Sequence, residues 1–183
     1  LPPVAPSFTQ QPLGQTVLEG GSVQFSVAVS GTAPFTYQWL RNGSEIPGAV
    51  ASTYTYGPVE LADDGASYSV NVTNAASTVG SLPATLQVHT LPVPAFSLST
   101  TLGVLPFTLM VDATASSDDG SIVSYSWDFG DGGSAEGATV SHDYASSGEY
   151  SVTLTVTDDQ GESATVAQTV IANAAPDAAF SFT

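Results

Sequence analysis

The residues best suited to chemistry are acidic and lie within one short segment. Segment 116–120, Ser-Ser-Asp-Asp-Gly, places two adjacent carboxylates and two hydroxyls beside a glycine that favours a loop. Asp112 precedes this segment, and Asp128 follows it. Calcium in proteins is held by oxygen atoms from carboxylates, carbonyls and water. The segment therefore predicts a calcium site at Asp118 and Asp119, with Asp112 and Asp128 as further ligands.

The same segment also has an interpretation that requires no metal. Aspartate side chains commonly accept hydrogen bonds from nearby backbone N–H groups, and such bonds stabilise tight turns. Residues 118–120 would then form a polar turn in which Asp118 serves the backbone rather than an ion. The sequence leaves both interpretations open.

Three residue types that commonly act as nucleophiles or bases in enzymes, cysteine, lysine and histidine, are absent or rare in the sequence. The chain contains no cysteine or lysine, and its two histidines, His89 and His142, lie in different halves. A serine hydrolase triad requires a serine, a histidine and an acid that converge on one pocket. The nucleophile motif Gly-x-Ser-x-Gly is also absent. We therefore expect no enzymatic activity, and we expect His142 to be a structural partner near Trp127 rather than a base.

The charge of the chain excludes several classes of partner. The formal net charge is −16, from 17 acidic residues against Arg41 alone, and twelve of those acids lie after residue 90. Such a surface repels phosphate groups, which argues against nucleic acid and anionic lipid as partners. The apolar runs are too short to cross a bilayer, so we expect no membrane insertion. An acidic surface suits solubility in salt, and it also suits divalent cations.

Hydrophobic and polar side chains alternate in several short segments, which is the pattern of half-buried β-strands. In segment 23–29 every second residue is Val or Phe, and segment 35–40 leads to the turn signal Asn42-Gly43. No segment has a sustained helical period. The pattern predicts an all-β fold made of two tandem antiparallel β-sandwiches, joined by a short proline-containing linker.

A short internal repeat places the domain boundaries. The triplet Ala-Phe-Ser occurs around Phe96 and again around Phe180, 84 residues later, each time after a proline-bearing linker. We expect one sandwich in residues 1–90, a second in 91–172, and the linker and first strand of a truncated third module in 173–183. Two prolines restrict the backbone of the first linker, which favours an extended rod.

Three motifs of the first half share one known pattern. They are Gly-Gly-Ser-Val at 20–23, Tyr-Gln-Trp at 37–39 and Leu-Ala-Asp-Asp-Gly-Ala-Ser-Tyr-Ser-Val at 61–70. Together they resemble a disulfide-free bacterial immunoglobulin-like domain. The resemblance implies that Trp39 is buried between two sheets and that Tyr68 is the tyrosine-corner residue. It also implies that Val27 and Val70 occupy the positions of the usual inter-sheet disulfide.

The second half carries a longer set of motifs. They are Asp-Asp-Gly-Ser-Ile-Val-Ser-Tyr-Ser at 118–126, Trp-Asp-Phe-Gly-Asp-Gly at 127–132, His-Asp-Tyr at 142–144, Gly-Glu-Tyr at 148–150 and Val-Thr-Leu-Thr-Val-Thr-Asp at 152–158. In order and spacing they resemble a PKD (polycystic kidney disease) domain. The resemblance implies a sandwich with a buried Trp127 and a tight glycine turn after it. Some PKD domains of secreted bacterial collagenases bind calcium through acids in the corresponding loop, so the resemblance also favours calcium.

The two resemblances together predict non-catalytic spacer or adhesive modules of a large extracellular bacterial protein, secreted or on the cell surface. The expected partners are other modules of the same chain. One alternative is an accessory module of a secreted hydrolase that binds a polysaccharide or a collagen-like polymer. Another is lateral assembly of the modules into a surface fibre. Exposed aromatic side chains would favour polymer binding, and Tyr54 and Tyr56 are the ones that we expect to be exposed.

Overall fold

The computed structural model describes residues 1–176 and divides the chain into two compact units, Leu1–Thr90 and Leu91–Thr183. Within the described residues the regular structure is β-strand, apart from one 3₁₀ turn at Leu61–Asp63. The expected all-β fold with tandem sandwiches is confirmed. The expected first strand of a third module, at 177–182, lies outside the described residues.

The first unit forms a sandwich from ten short strands. They are β1 (Ser7–Gln10), β2 (Gln15–Leu18), β3 (Val23–Ser26), β4 (Ala28–Ser30), β5 (Thr36–Arg41), β6 (Ser44–Glu45), β7 (Thr53–Tyr56), β8 (Ser67–Thr73), β9 (Thr78–Gly80) and β10 (Ala84–His89). One sheet has the order β2-β10-β8-β5-β6, with β9 also paired to β8. The strand pairs β3–β7 and β1–β4 form the two other small sheets. All pairs are antiparallel except β2 with β10.

The turn between β5 and β6 shows why the chain reverses where it does. Asn42 and Gly43 both have positive φ, at 51° and 80°. These left-handed conformations are those that a two-residue hairpin requires, and Asn-Gly tolerates them at little cost. The Asn42 side chain also accepts a hydrogen bond of 2.9 Å from the Ser67 N–H, which ties the turn to the start of β8.

The core of the first unit surrounds a tryptophan without a covalent bridge. Trp39 and Val70 are fully buried, and Val27 is 7% exposed. The indole N–H of Trp39 donates a 2.9 Å hydrogen bond to the Ala51 carbonyl, so its one polar atom is satisfied. The two valines at the expected disulfide positions therefore contribute by packing alone.

The second unit has eight strands in two sheets. They are β11 (Ser97–Leu98), β12 (Leu102–Val104), β13 (Phe107–Asp112), β14 (Ile122–Asp128), β15 (Ser134–Glu136), β16 (Thr139–Tyr144), β17 (Gly148–Asp158) and β18 (Ser163–Asn173). The smaller sheet has the order β11-β13-β16, and the larger has the order β12-β18-β17-β14-β15. The last strand continues to Asn173, one residue into the expected linker. The pair β12–β18 is parallel, and the other pairs are antiparallel.

A second buried tryptophan organises this unit. Trp127 is 1% exposed and packs edge-on against Phe96, with ring centroids 5.0 Å apart. Its indole N–H donates to the Gly137 carbonyl at 2.8 Å. The turn after β14 has positive φ at Gly130 and Gly132, as the glycine-rich motif predicts. Within residues 1–176 no helix is long and apolar enough to cross a bilayer.

We expect the Val70→Ala substitution to lower the free energy of unfolding of the first unit by about 1–3 kcal/mol, because it removes buried methyl groups and leaves a partial cavity. Denaturant unfolding of the whole chain measures this. Val50→Ala is the matched control, since Val50 is 61% exposed. Equal denaturation midpoints for the two variants would contradict the packing role of Val70.

Candidate functional site

The acidic segment predicted to bind calcium lies in the loop between β13 and β14. One carboxylate oxygen of Asp118, Oδ2, accepts a hydrogen bond of 3.0 Å from the Gly120 N–H. This is the polar turn of the metal-free interpretation. The other oxygen, Oδ1, is buried and has no hydrogen-bond partner within the described residues. The turn therefore accounts for only half of the Asp118 carboxylate.

A second acidic pair, Asp158 and Asp159, lies beside this loop. Asp159 donates its N–H to the Ser121 carbonyl at 3.0 Å and accepts the Ser121 N–H at 3.2 Å. A Cβ atom at Gly120 would lie 2.6 Å from Asp159 Oδ1 and 3.4 Å from Asp118 Oδ2. The carboxylates of Asp118 and Asp159 thus flank the same glycine, and a side chain at this position would displace the Asp159 carboxylate.

Asp158 is fully buried, which is unusual for an ionisable residue. Its Oδ1 accepts the N–H groups of Gln160 and Glu162 at 3.0 and 2.8 Å. Its Oδ2 has no hydrogen-bond partner in the part of the chain that the structure describes. Two buried carboxylate oxygens of the second unit, Asp118 Oδ1 and Asp158 Oδ2, therefore lack a hydrogen-bond donor among the described residues. A buried acceptor without a donor lowers the free energy of unfolding.

Sequence analysis missed Asp158 and Asp159, although a signal for Asp158 was present. Along β17 the buried positions are Val152, Leu154, Val156 and Asp158, so the aspartate continues the inward phase of the alternation. A charged residue in an inward position requires a compensating interaction. The alternation in 152–158 predicts a half-buried strand but does not by itself indicate what its last, inward aspartate contacts.

Two of the predicted ligands do not join this group. The exposed Asp112 carboxylate accepts both the Thr114 hydroxyl and the Thr114 N–H, and these hydrogen bonds lower the pKa of Asp112. Asp128 ends β14, whereas Asp118 precedes that strand, so the length of the strand, about 20 Å, separates them. The expectation that Asp128 reaches the Asp118 loop is wrong. Within residues 1–176 no three acidic, histidine or cysteine side chains form a group that would hold a metal by themselves.

His142 contacts Asp131 and Phe129, and Phe129 in turn stacks with Trp127 at a centroid distance of 6.4 Å. Nε2 of His142 lies 2.8 Å from Asp131 Oδ2, and the imidazole ring stacks on Phe129 with centroids 4.2 Å apart. The other Asp131 oxygen accepts the Gly133 N–H at 2.9 Å. Burial would raise the pKa of Asp131, but the hydrogen bonds from His142 and Gly133 outweigh it and lower that pKa. The pair fixes the glycine-rich turn.

The only arginine of the chain also serves the fold. Arg41 forms an ion pair with Asp63, whose other oxygen accepts the Tyr56 hydroxyl and the Glu60 N–H, both at 2.9 Å. Burial would raise the pKa of Asp63, but the hydrogen bonds from Glu60, Arg41 and Tyr56 outweigh it and hold that pKa below its ordinary value. The guanidinium also lies over the Tyr56 ring, 5.1 Å from its centroid.

The expected exposed aromatic residues prove to be part of the core. Tyr54 and Tyr56 are half-buried and pack against Tyr68, with ring centroids 6.1 and 6.0 Å from it. Tyr68 stacks on Phe25 at 4.5 Å, and burial raises its pKa to about 12. Its hydroxyl has no hydrogen-bond partner among the described residues, so the bond expected of a tyrosine corner is not formed. The rings offer packing surface rather than a binding platform.

Comparison with known families agrees with the two halves of the fold. The family model described as "Immunoglobulin domain" matches residues 5–74, and the model described as "PKD domain" matches residues 104–172. Each match covers less than half of the chain and lies within one of the two structural units.

Similar proteins include enzymes much longer than this chain. The pre-pro-metalloprotease PrtV of Vibrio cholerae is 47% identical over 79 residues, which cover 43% of this chain and 8% of that protein. A microbial collagenase of Vibrio alginolyticus is 50% identical over 56 residues, which cover 31% of this chain and 7% of that protein. The decoration protein of Escherichia phage T5 is 42% identical over 76 residues, or 46% of its length. The chain thus spans less than a tenth of the two Vibrio proteins.

Two solved structures are reported for comparison. The PKD1 domain of the Vibrio cholerae metalloprotease is 45% identical, and the match covers 45% of this chain and 98% of that domain with a TM-score of 0.41. The I67–I69 fragment of titin matches 95% of this chain and 66% of its own, with a TM-score of 0.64 and 20% identity. At that identity the likeness to titin shows the fold alone.

The low pKa of Asp63 predicts acid sensitivity of the first unit. A carboxyl group with a lowered pKa in the folded state stabilises above its unfolded pKa, near 4, and that contribution is lost as pH falls through the folded value. We expect Asp63→Asn to cost about 1–3 kcal/mol at neutral pH and to flatten the loss of stability below about pH 4. Calorimetry across this pH range measures both effects. Glu45→Gln, a change at an exposed strand residue, should leave the profile unchanged; an unchanged profile for Asp63→Asn would contradict the assignment.

Proposed function

Because this chain consists of an immunoglobulin-like domain followed by a PKD domain, we propose that it forms non-catalytic spacer or adhesive modules of a larger extracellular bacterial protein. The main support for this proposal is that the histidine and the arginine best suited to catalysis form hydrogen bonds or ion pairs that stabilise the fold. His142 is held by Asp131, and Arg41 is held by Asp63. Each of these pairs stabilises its own unit. Neither lies beside an activated nucleophile in the described contacts.

The relatives support an accessory position in a longer chain. The matched segment is 8% of the Vibrio cholerae metalloprotease and 7% of the Vibrio alginolyticus collagenase, so it leaves most of each enzyme for other domains. Collagen is an extracellular polymer, which supports an extracellular location for modules of this kind. The acidic, cysteine-free composition is compatible with that location.

A second candidate function is attachment to an insoluble polymer. It is favoured by two collagenase relatives, from Vibrio alginolyticus and Clostridium perfringens, which are 50% and 53% identical over the matched segments. The half-buried state of Tyr54 and Tyr56 argues against a sugar-stacking platform in the first unit. A third candidate, lateral assembly into a fibre, has to overcome the repulsion between copies of net charge −16.

Co-sedimentation distinguishes the spacer role from polymer attachment. The purified chain is mixed with insoluble collagen fibres, chitin and cellulose, and the bound and free fractions are compared after centrifugation. We expect the chain to remain in the supernatant and to release no peptide or sugar from any of the three polymers. Saturable retention on one polymer would favour the attachment role. Release of soluble product that His142→Gln abolishes would overturn the non-catalytic assignment.

We further propose that the second unit binds one calcium ion through the loop that contains Asp118. The support comes from the two buried carboxylate oxygens without partners, Asp118 Oδ1 and Asp158 Oδ2. A hard cation would satisfy such oxygens and relieve the repulsion between Asp118 and its neighbour Asp159. Asp118, Asp158 and Asp159 are the candidate ligands, together with Asp119 from the sequence. Backbone carbonyls and water would have to complete the coordination, because no three acidic side chains of the described residues form a metal-binding group by themselves. Asp112 and Asp128 lie outside this set.

Thermal unfolding tests the calcium site. Extracellular calcium sites often have dissociation constants of about 0.1–1 mM. At ten times that constant the gain in stability would be about 1.4 kcal/mol, visible as a higher melting temperature of the second unit. We expect calcium to raise this temperature in the wild type and in Asp128→Asn, but not in Asp118→Asn, and magnesium to do less. A wild-type melting temperature indifferent to calcium would exclude the site.

A further inference from the structure

The outer face of the smaller sheet of the second unit carries a groove of about 510 Å³. It is lined by nine residues from β11, β13 and β16 and from the position after β11, and four of the nine carry a hydroxyl group. The exposed ones are Ser97, Ser99, Met110, Asp112, Thr139 and Ser141, and three less exposed aliphatic residues complete the lining. Met110 is the only methionine of the chain and is 63% exposed. Solvent-exposed methionine side chains, which are flexible, are characteristic of adaptable binding surfaces.

The groove follows from the strand alternation. On β13 the inward residues Leu109 and Val111 are buried, so Met110 and Asp112 face outward. The β16 residue opposite Met110 is Ser141, and the one opposite Asp112 is Thr139. These small side chains leave free space between the outward residues of β13 and the edge of the sheet. Asp143 continues the outward row of β16, where it accepts the hydroxyl of Thr108 at 2.5 Å.

The outer face therefore presents three parallel rows with alternating chemistry. The first row contains an acid, Asp112, beside Thr139. The middle row contains the apolar Met110 beside Ser141. The third row contains a second acid, Asp143, beside Thr108. Successive outward residues on a strand are two positions apart, about 6.6 Å. A ligand that matches this face needs positive charge, apolar surface and positive charge at the same spacing.

The edge of the sheet provides a place for such a ligand. Within the described residues β16 is hydrogen-bonded on one side only, to β13. An unpaired strand edge can accept an extended peptide through main-chain hydrogen bonds, and alternate side chains of that peptide then lie on one face. Residues i, i+2 and i+4 of the added strand would lie beside the three rows. Long side chains would reach across Thr139 and Ser141 towards Asp112 and Met110.

Charge selects the partner. Arg41 is the only lysine or arginine of the sequence, and it lies in the first unit, so the second unit carries acids without a compensating base. A second copy of this chain has the same charge and would be repelled, whereas a basic segment would be attracted. We infer that this face binds an extended basic segment of another protein, with the pattern cationic–x–aliphatic–x–cationic. This surface goes beyond the spacer role and does not depend on it.

The probe for this test is a short peptide in which threonine alternates with lysine, leucine and lysine, with both ends blocked. Its control has the same composition with the two lysines adjacent. Titration into the isotope-labelled chain, in chelator and at low salt, is followed by amide chemical shifts and by calorimetry. We expect the shifts to concentrate on β16 and β13, and we expect the control peptide to bind about tenfold more weakly.

Two exposed substitutions test the face without disturbing the core. Asp112→Asn keeps an oxygen acceptor for Thr114 but removes the charge, and Met110→Ser removes the apolar centre. Each should weaken binding of the patterned peptide about tenfold, whereas Asp128→Asn, on the larger sheet, should not. Melting temperatures verify that all variants are folded.

Three results would overturn the inference. One is equal binding of both peptides together with unchanged affinity in Asp112→Asn, which would indicate unspecific attraction by net charge. Another is the absence of chemical-shift changes on β16 at millimolar peptide. The third is a concentration-dependent dimer that Met110→Ser abolishes, which would assign the face to a second copy of this chain.

Discussion

Each sandwich is organised by one tryptophan that both sheets pack against, and no covalent bridge assists it. Trp39 and Trp127 are at most 1% exposed, and each indole N–H is satisfied by a carbonyl of its own unit. Because the chain has no cysteine, the sheets are held together by side-chain packing and its associated dispersion and hydrophobic energy. The valines around Trp39 and the phenylalanines around Trp127 are consequently constrained in size, since close-packed interiors tolerate neither voids nor overpacking.

The chain has 17 acidic residues but only one basic residue apart from histidine, so most carboxylates cannot form an ion pair and accept other hydrogen bonds instead. Asp63 uses the only arginine. The carboxylates of Asp64, Asp118, Asp128 and Asp158 instead accept backbone N–H groups, most of them in the turns that these residues begin. Acidic residues therefore define the loop geometry of both units. Two buried carboxylate oxygens of the second unit have no hydrogen-bond donor among residues 91–176.

The sequence allowed the strands to be predicted but not the full set of interacting side chains. Alternation identified the inward faces of β3 and β17, and Asn42-Gly43 identified a hairpin, because both signals are local. The grouping of Asp118 with Asp159 depends on how two loops meet at one end of a sandwich, which local patterns do not encode. The position of Asp128 likewise depends on the course of β14, because Asp128 ends that strand and the Asp118 loop precedes it, at the opposite end of the sheet. The contacts of Tyr54 and Tyr56 depend on the opposite sheet, which alternation alone does not identify.

The parallel strand pairs have a mechanical consequence. In each unit a strand near the beginning lies alongside the last strand in the same direction, β2 with β10 and β12 with β18. Tension applied to the two ends of a unit would pull these neighbours in opposite directions along their length. Their hydrogen bonds would then be loaded together in shear instead of opening one after another. The resistance of each unit to stretching would therefore depend on this parallel strand pair, and not on the protein that is attached at either end.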